Sequence, residues 1–207
     1  MIHSGITEKT PLRIPFGAGV YFKGVTYDEK VAPTEEEVKS HIAGATQEGG
    51  TTTITPTIFN VEADGAKVKL KELAEKIEEV ALMEVSFIEV TPEMVKNQVI
   101  GKMGESTDKN FHVITSDDHL RPNHFYSGFG FMGYHLDGRE MIIIFKNALC
   151  TSGHVFEPKP KTNALFKGTF ECYSDIEHGV TKLPYAIFIR KEEGWTPVNA
   201  DEVAVAA

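Results

Sequence analysis

The chain has little of what staples small domains or builds redox and metal centres. It holds two cysteines, Cys150 and Cys172, and no Cys-x-x-Cys pair. That spacing excludes a zinc knuckle and a dithiol redox motif. Each cysteine lies in a strand-like run, so both are expected as buried free thiols. No apolar run approaches the roughly 18 residues that a membrane-spanning helix needs. The opening residues, Met-Ile-His-Ser-Gly-Ile-Thr-Glu-Lys, contain no apolar segment of the signal-peptide kind, and the expectation is a protein made and folded in cytoplasm. Cations are also in deficit, with 21 Lys and Arg against 30 Asp and Glu, a formal charge of −9. Phosphate contacts need Lys and Arg, so nucleic-acid binding is disfavoured.

Catalytic motifs are missing too. Gly17-Ala18-Gly19 lacks the Gly-Lys-Ser/Thr continuation of a phosphate loop, and no helix follows it as a dinucleotide fold requires. There is no Gly-x-Ser-x-Gly elbow and no His-Glu-x-x-His pair. Carboxylates are abundant, but no spacing sets two of them in opposition. The best metal candidates are His112, His119 and His124 with Asp118. They sit in a polar stretch over 102–124, and His119 and His124 flank Arg121-Pro122, a spacing that fixes no ligand geometry. The stretch reads as a surface loop.

What is present is mostly strand sequence in a chain of 207 residues, enough for an ordinary core without staples. Phe16–Gly24 reads as a first strand. Thr34 followed by Glu37 is a capping box, so a small helix lies within 28–43, with Val38 and Ile42 as its apolar stripe. Gly49-Gly50 breaks the chain before Thr51–Phe59, which is rich in Thr and Ile. Pro56 cannot donate to a ladder, which places that strand at an edge or interrupts it. Residues 66–90 carry two periods, a helical stripe from Leu70 to Ala81 and an alternation from Ala81 to Phe87. Thr91 as cap, Pro92 in the first turn and Gly101 at the end bound a second short helix over Pro92–Ile100.

Phe125–Tyr134 alternates aromatic with small residues, as a core-packing strand does. Met141–Phe145 is apolar at every position and predicts a central strand covered on both faces. Leu165–Tyr173 and Tyr185–Arg190 are further strands, separated from the preceding ones by a loop over 152–163 and a polar segment. Strands outnumber helices without βα alternation. The expected class is mainly β, a sandwich or partly open barrel with one or two short flanking helices. Residues 1–15 and 194–207 read as extended arms around a domain over 16–193.

Several of these segments together resemble the major tail, or tail tube, proteins of long-tailed, siphovirus-like phages. They are Gly17-Ala18-Gly19-Val20, the run Gly44-Ala45-Thr46-Gln47-Glu48-Gly49-Gly50, and Glu89-Val90-Thr91-Pro92-Glu93-Met94. Gly138-Arg139 leading to Ile144-Phe145-Lys146-Asn147-Ala148-Leu149, and the late strand Gly168–Tyr173, complete the set. They span nearly the whole chain in the family's order; the His-rich segment over 102–136 departs from it. The resemblance implies a long strand over 75–90 in place of the helical stripe. It implies a virion protein without cofactor or catalytic residues, assembled in the host cytoplasm. Hexameric rings would join their inner strands into one barrel and stack into a tube around a tape-measure protein. A tail terminator and distal tail or baseplate proteins would bound the tube, DNA would pass through without specific binding, and a flexible tail is favoured over a contractile one.

Under that resemblance, the contact candidates are Gly44, Thr46, Gln47, Gly49 and Gly50, with Gly153 and Pro158 in the later loop. Plain turn chemistry accounts for the same residues equally well. Acidic residues facing a channel would repel DNA phosphates, and Glu62, Asp64, Glu72, Glu75, Glu78 and Glu79 are the candidates. Two rivals stand beside this reading. One is a monomeric sugar- or receptor-binding sandwich with Tyr126, Phe129 and Tyr134 as its platform; the other is a small metallohydrolase using the histidines above.

Overall fold

In the computed structural model, which describes residues 10, 13–62, 64, 67–158 and 160–192, strands dominate. Strand β1 (Pro15–Phe22) is followed by helix α1 (Glu35–Ser40) and by strands β2 (Thr46–Asn60) and β3 (Ala74–Phe87). Helix α2 (Pro92–Gln98) leads into a small hairpin, β4 (Gly101–Gly104) with β5 (Val113–Ser116). Then come β6 (Tyr126–His135), β7 (Glu140–Cys150), β8 (Val155–Glu157), β9 (Leu165–Cys172) and β10 (Tyr185–Ile189).

The main sheet is antiparallel throughout and runs β1-β6-β7-β9-β3-β2. It branches at β7. Met141–Phe145 pairs with β10, whereas Ala148–Cys150 pairs with β9. One core cluster draws on Tyr21 of β1, Met83 and Val85 of β3, Phe129 of β6, Phe145 of β7 and Phe170 of β9. The sheet therefore curls around this cluster, but it does not close into a barrel. The ends of the path, β1 and β2, share no ladder among the described residues. Instead Ala43 N–H donates to Tyr21 O at 2.8 Å and Lys23 N–H to His41 O at 2.9 Å, so the segment before β2 covers part of the β1 edge.

The both-faces reading of Met141–Phe145 holds. Ile143 and Phe145 enter the first cluster, while Ile142 and Ile144 enter a second with Phe22, Val38 and Met132. Alternate side chains of a strand point to opposite faces, so an unbroken apolar run requires cover on each. Both caps form as expected. Glu37 N–H donates to Thr34 Oγ1 at 3.2 Å and Thr34 N–H to Glu37 Oε2 at 2.8 Å. Met94 N–H donates to Thr91 Oγ1 at 3.3 Å, and Met94 is buried in the first cluster. The strand expected over 75–90 forms as β3, Ala74–Phe87, ending three residues short; Lys71–Leu73 before it is a single 3-10 turn. Pro56 lies in β2, the last strand of the path, as its missing N–H requires.

Several expectations need correction. The polar stretch over 102–124 is not all loop, because β4 and β5 pair within it. Each has four residues, too few for alternation to be read. The loop over 152–163 contains β8, added to the edge of β9. Gly101 does not end α2. Ile100 takes the left-handed turn at φ 50°, and Gly101 opens β4, where an added Cβ would fall 2.9 Å from Thr115 O. Ile42 lies beyond α1 and is exposed, so Val38 alone anchors that helix. Strand β1 starts at Pro15, inside the expected N-terminal arm; the rest of that arm, apart from 10, 13 and 14, and the arm over 194–207 lie outside the described residues.

Candidate functional site

The residues singled out for the two rival readings lie apart in the fold, some in the core and others at the surface. Tyr126 and Phe129 are buried in the first cluster, with Phe129 stacked on Phe170 at 4.3 Å between ring centroids. A buried ring presents no face to a sugar. Tyr134 is half-buried against the second cluster, so the three aromatics do not form a surface platform. His124 is fully buried, and both ring nitrogens are occupied. Nε2 donates to Gly101 O at 3.0 Å, and Nδ1 accepts from Arg121 N–H at 3.0 Å. This histidine ties the turn before β6 to the start of β4. His112 and His119 are exposed. Asp117, next to Asp118, is engaged by Arg121 at 2.8 and 3.1 Å, and that guanidinium holds its carboxyl well below the usual range. Among the described residues no three His, Cys, Asp or Glu side chains converge as a metal site would need. The thiols are equally unsuited to attack, since burial raises Cys150 and pushes Cys172 up to about 12.

The two segments singled out as contact candidates come together in space. Glu48 and Gly49 adopt left-handed backbone at φ 68° and 71°, which makes a bulge between the Thr46–Phe87 and Gly50–Val85 pairs. Asn163 Nδ2 donates to Gln47 Oε1 at 3.2 Å, joining the first segment to the later loop. Between them lies an open trough of about 470 Å³, lined by Gly49, Gly50, Thr51, Ser86, Ser152, Val155 and Thr169 among others. Part of the glycine content answers to the interior. A Cβ on Gly50 would stand 2.0 Å from Tyr21 Oη and 2.5 Å from Glu84 O. Gly153 turns the chain at φ 72°, its carbonyl accepting from Ser152 Oγ, while Pro158 is exposed beyond β8. Gly44 and Thr46 precede the bulge and do not line the trough.

A second feature was not legible in the sequence. The far half of the β2–β3 hairpin, Thr55–Asn60 opposite Ala74–Val80, extends past the core. Ile58 and Phe59 are consecutive and so point to opposite faces, yet they are 50% and 52% exposed; Ile77 is 60% exposed. Both faces of this ribbon are therefore open and both carry apolar side chains. The outer edge of β2 has no strand partner among the described residues along its 15-residue length.

The acidic candidates cluster on this ribbon and its tip, but they do not share one face. Glu78 and Glu79 are adjacent in β3 and point to opposite sides. Glu79 is drawn into the molecule by Tyr185 Oη at 3.2 Å and Lys76 Nζ at 2.8 Å, whereas Glu62, Asp64, Glu72, Glu75 and Glu78 are exposed. A search of family models matches none to the chain, and no curated protein is significantly similar to it.

Proposed function

We propose that this chain is a structural subunit that completes its sheet with copies of itself, the ring-forming protein of a phage tail tube. The observation that carries the reading is the open half of the β2–β3 hairpin. A two-stranded ribbon with no cover on either face is marginal in water. Here it presents Ile58, Phe59 and Ile77 to solvent and leaves a long edge unpaired among the described residues. Open edges invite strand addition, and a closed ring of subunits removes them. A head-to-tail contact whose rotation closes gives such a ring, and axial repetition gives a tube. Barrels of about 16–18 strands already leave an aqueous channel, so a barrel assembled from several subunits would be open.

In this reading the subunits form stacked hexameric rings around a tape-measure protein and later conduct DNA. A tail terminator and distal tail or baseplate proteins close the ends. The protein has no catalytic role. The net charge of −9 suits a wall that DNA passes without adhering, and exposed carboxylates such as Glu75 and Glu78 would supply part of that repulsion. The test is assembly. Sedimentation velocity and negative-stain microscopy of the purified chain across rising concentration should show rings or tubes. A species that stays monomeric throughout would overturn the proposal.

A further inference from the structure

Where the sheet branches, two strand edges face each other without pairing. Strand β9 ends at Cys172, opposite Ala148 of β7, and β10 takes up the same side of β7 from Tyr185, opposite Phe145. Strand β3 follows β9 only as far as the Leu82–Glu171 pair and then runs on to Ala74. Over that stretch, the edge of β3 turned away from β2 lies on the β10 side, yet no ladder joins the two among the described residues. Their directions suit one. Strands β9 and β10 both run antiparallel to β7, and β3 runs antiparallel to β9, so β3 and β10 are antiparallel to each other.

A side-chain contact spans the gap. Tyr185 Oη donates to Glu79 Oε1 at 3.2 Å, and Lys76 Nζ stands 2.8 Å from the same oxygen. Beyond this contact both strands carry uncovered aliphatic side chains, Ile77 on β3 and, on β10, Ile187 at 44% and Ile189 at 56% exposure. The ribbon also holds a place to bend. Thr57 pairs with Glu78 and Ile58 with Lys76, so Ile77 is the extra residue of a bulge. A bulge bends its strand and sharpens the local twist.

We infer that the open half of the β2–β3 hairpin is a strap whose β3 strand closes onto β10. Closing makes one antiparallel ladder of Ala74–Glu78 with Tyr185–Ile189 and shields Ile77, Ile187 and Ile189. The open form is the resting state, and closing is an excursion from it. The two strands then pass from side-chain reach to the spacing of about 4.8 Å that a ladder sets. The outer edge of β2 takes no part, so the inference goes beyond the tube-subunit reading and does not depend on it.

Disulfide trapping in the full chain tests it. Ile187→Cys is combined in turn with Glu75→Cys, Lys76→Cys and Ile77→Cys, successive positions that sample both faces of β3. Ile187→Cys with Phe59→Cys, one strand farther away on β2, is the control. All five positions are exposed, and the native Cys150 and Cys172 are buried. Circular dichroism of the reduced variants should match the parent protein. A disulfide needs Cα atoms within about 7 Å, a spacing that the closed form supplies. At least one of the three pairs should therefore form an intramolecular bridge about tenfold or more faster than the control. If none outruns the control, the strap does not close and the inference is overturned. That result would leave the tube reading standing, because assembly is measured separately.

Discussion

Strand β3 passes through two environments. From Ala81 to Phe87 its alternate side chains, Ala81, Met83, Val85 and Phe87, are buried in the main cluster. From Ala74 to Glu78 every residue is exposed, and Ile77 faces water although it is as apolar as those buried farther along. Hydrogen bonding is continuous, since β2 pairs along the strand from Asn60–Ala74 to Thr46–Phe87, interrupted only by two register shifts. The two halves therefore differ in what lies over them and not in their ladder. One half gains stability from burial. The other is a backbone ribbon whose apolar side chains have no cover among the described residues.

Met83→Ala should break the supported half. A fully buried methionine removed from the core costs about 2–5 kcal/mol, read as a drop in urea midpoint at unchanged slope. Next in size, Thr91→Ala should cost about 1 kcal/mol, because Met94 N–H loses its cap at the end of the same strand's connection to α2. On the open half, Ile77→Ala should leave the monomer's stability within about 0.5 kcal/mol, in the range of surface substitutions. A cost above about 2 kcal/mol there would mean that the ribbon is part of the chain's own core, and would end the comparison.

The smallest effect is local and depends on pH. The Lys146 ammonium, the His178 N–H and the Asn147 amide hold the Asp175 carboxyl down at about 2. A depressed carboxylate contributes stability above its unfolded value of about 3.9, and that contribution is lost as pH falls through the folded value. Amide NMR shifts of His178 and Gly179 should therefore move together between about pH 4 and 2, while the core signals hold. Asp175→Asn should abolish that step. An unchanged step in the variant would assign the titration to another group.

Much of the fold was legible because its signals are local. The Thr34–Glu37 box and the Thr91-Pro92 start name their helices from neighbouring residues, and both caps form. The unbroken Met141–Phe145 run reveals a strand covered on two sides, since nothing else tolerates it. The candidate site was legible only in part. The Gly44–Gly50 run and the loop after β7 were contact candidates under the resemblance, and their meeting across β3 and β9 was not visible in either. The exposure of Ile176 and Val180 and the Asp175 network beside them are properties of the fold that no local pattern spells out. Tyr126 and Phe129 carried the opposite lesson, since a strand of aromatics spaced by glycines serves a stacking platform or a core with the same spelling.

Residue chemistry over a few positions determined the β class and the two capped helices, and narrowed Pro56 to an edge strand or a break. Those outcomes depend on backbone donors, side-chain period and charge, all of which act within a turn or a strand. The folded arrangement alone decided which apolar residues find cover and which acidic neighbours part to opposite faces. Cover is a relation between segments far apart in the chain, and no local pattern encodes whether the second segment arrives.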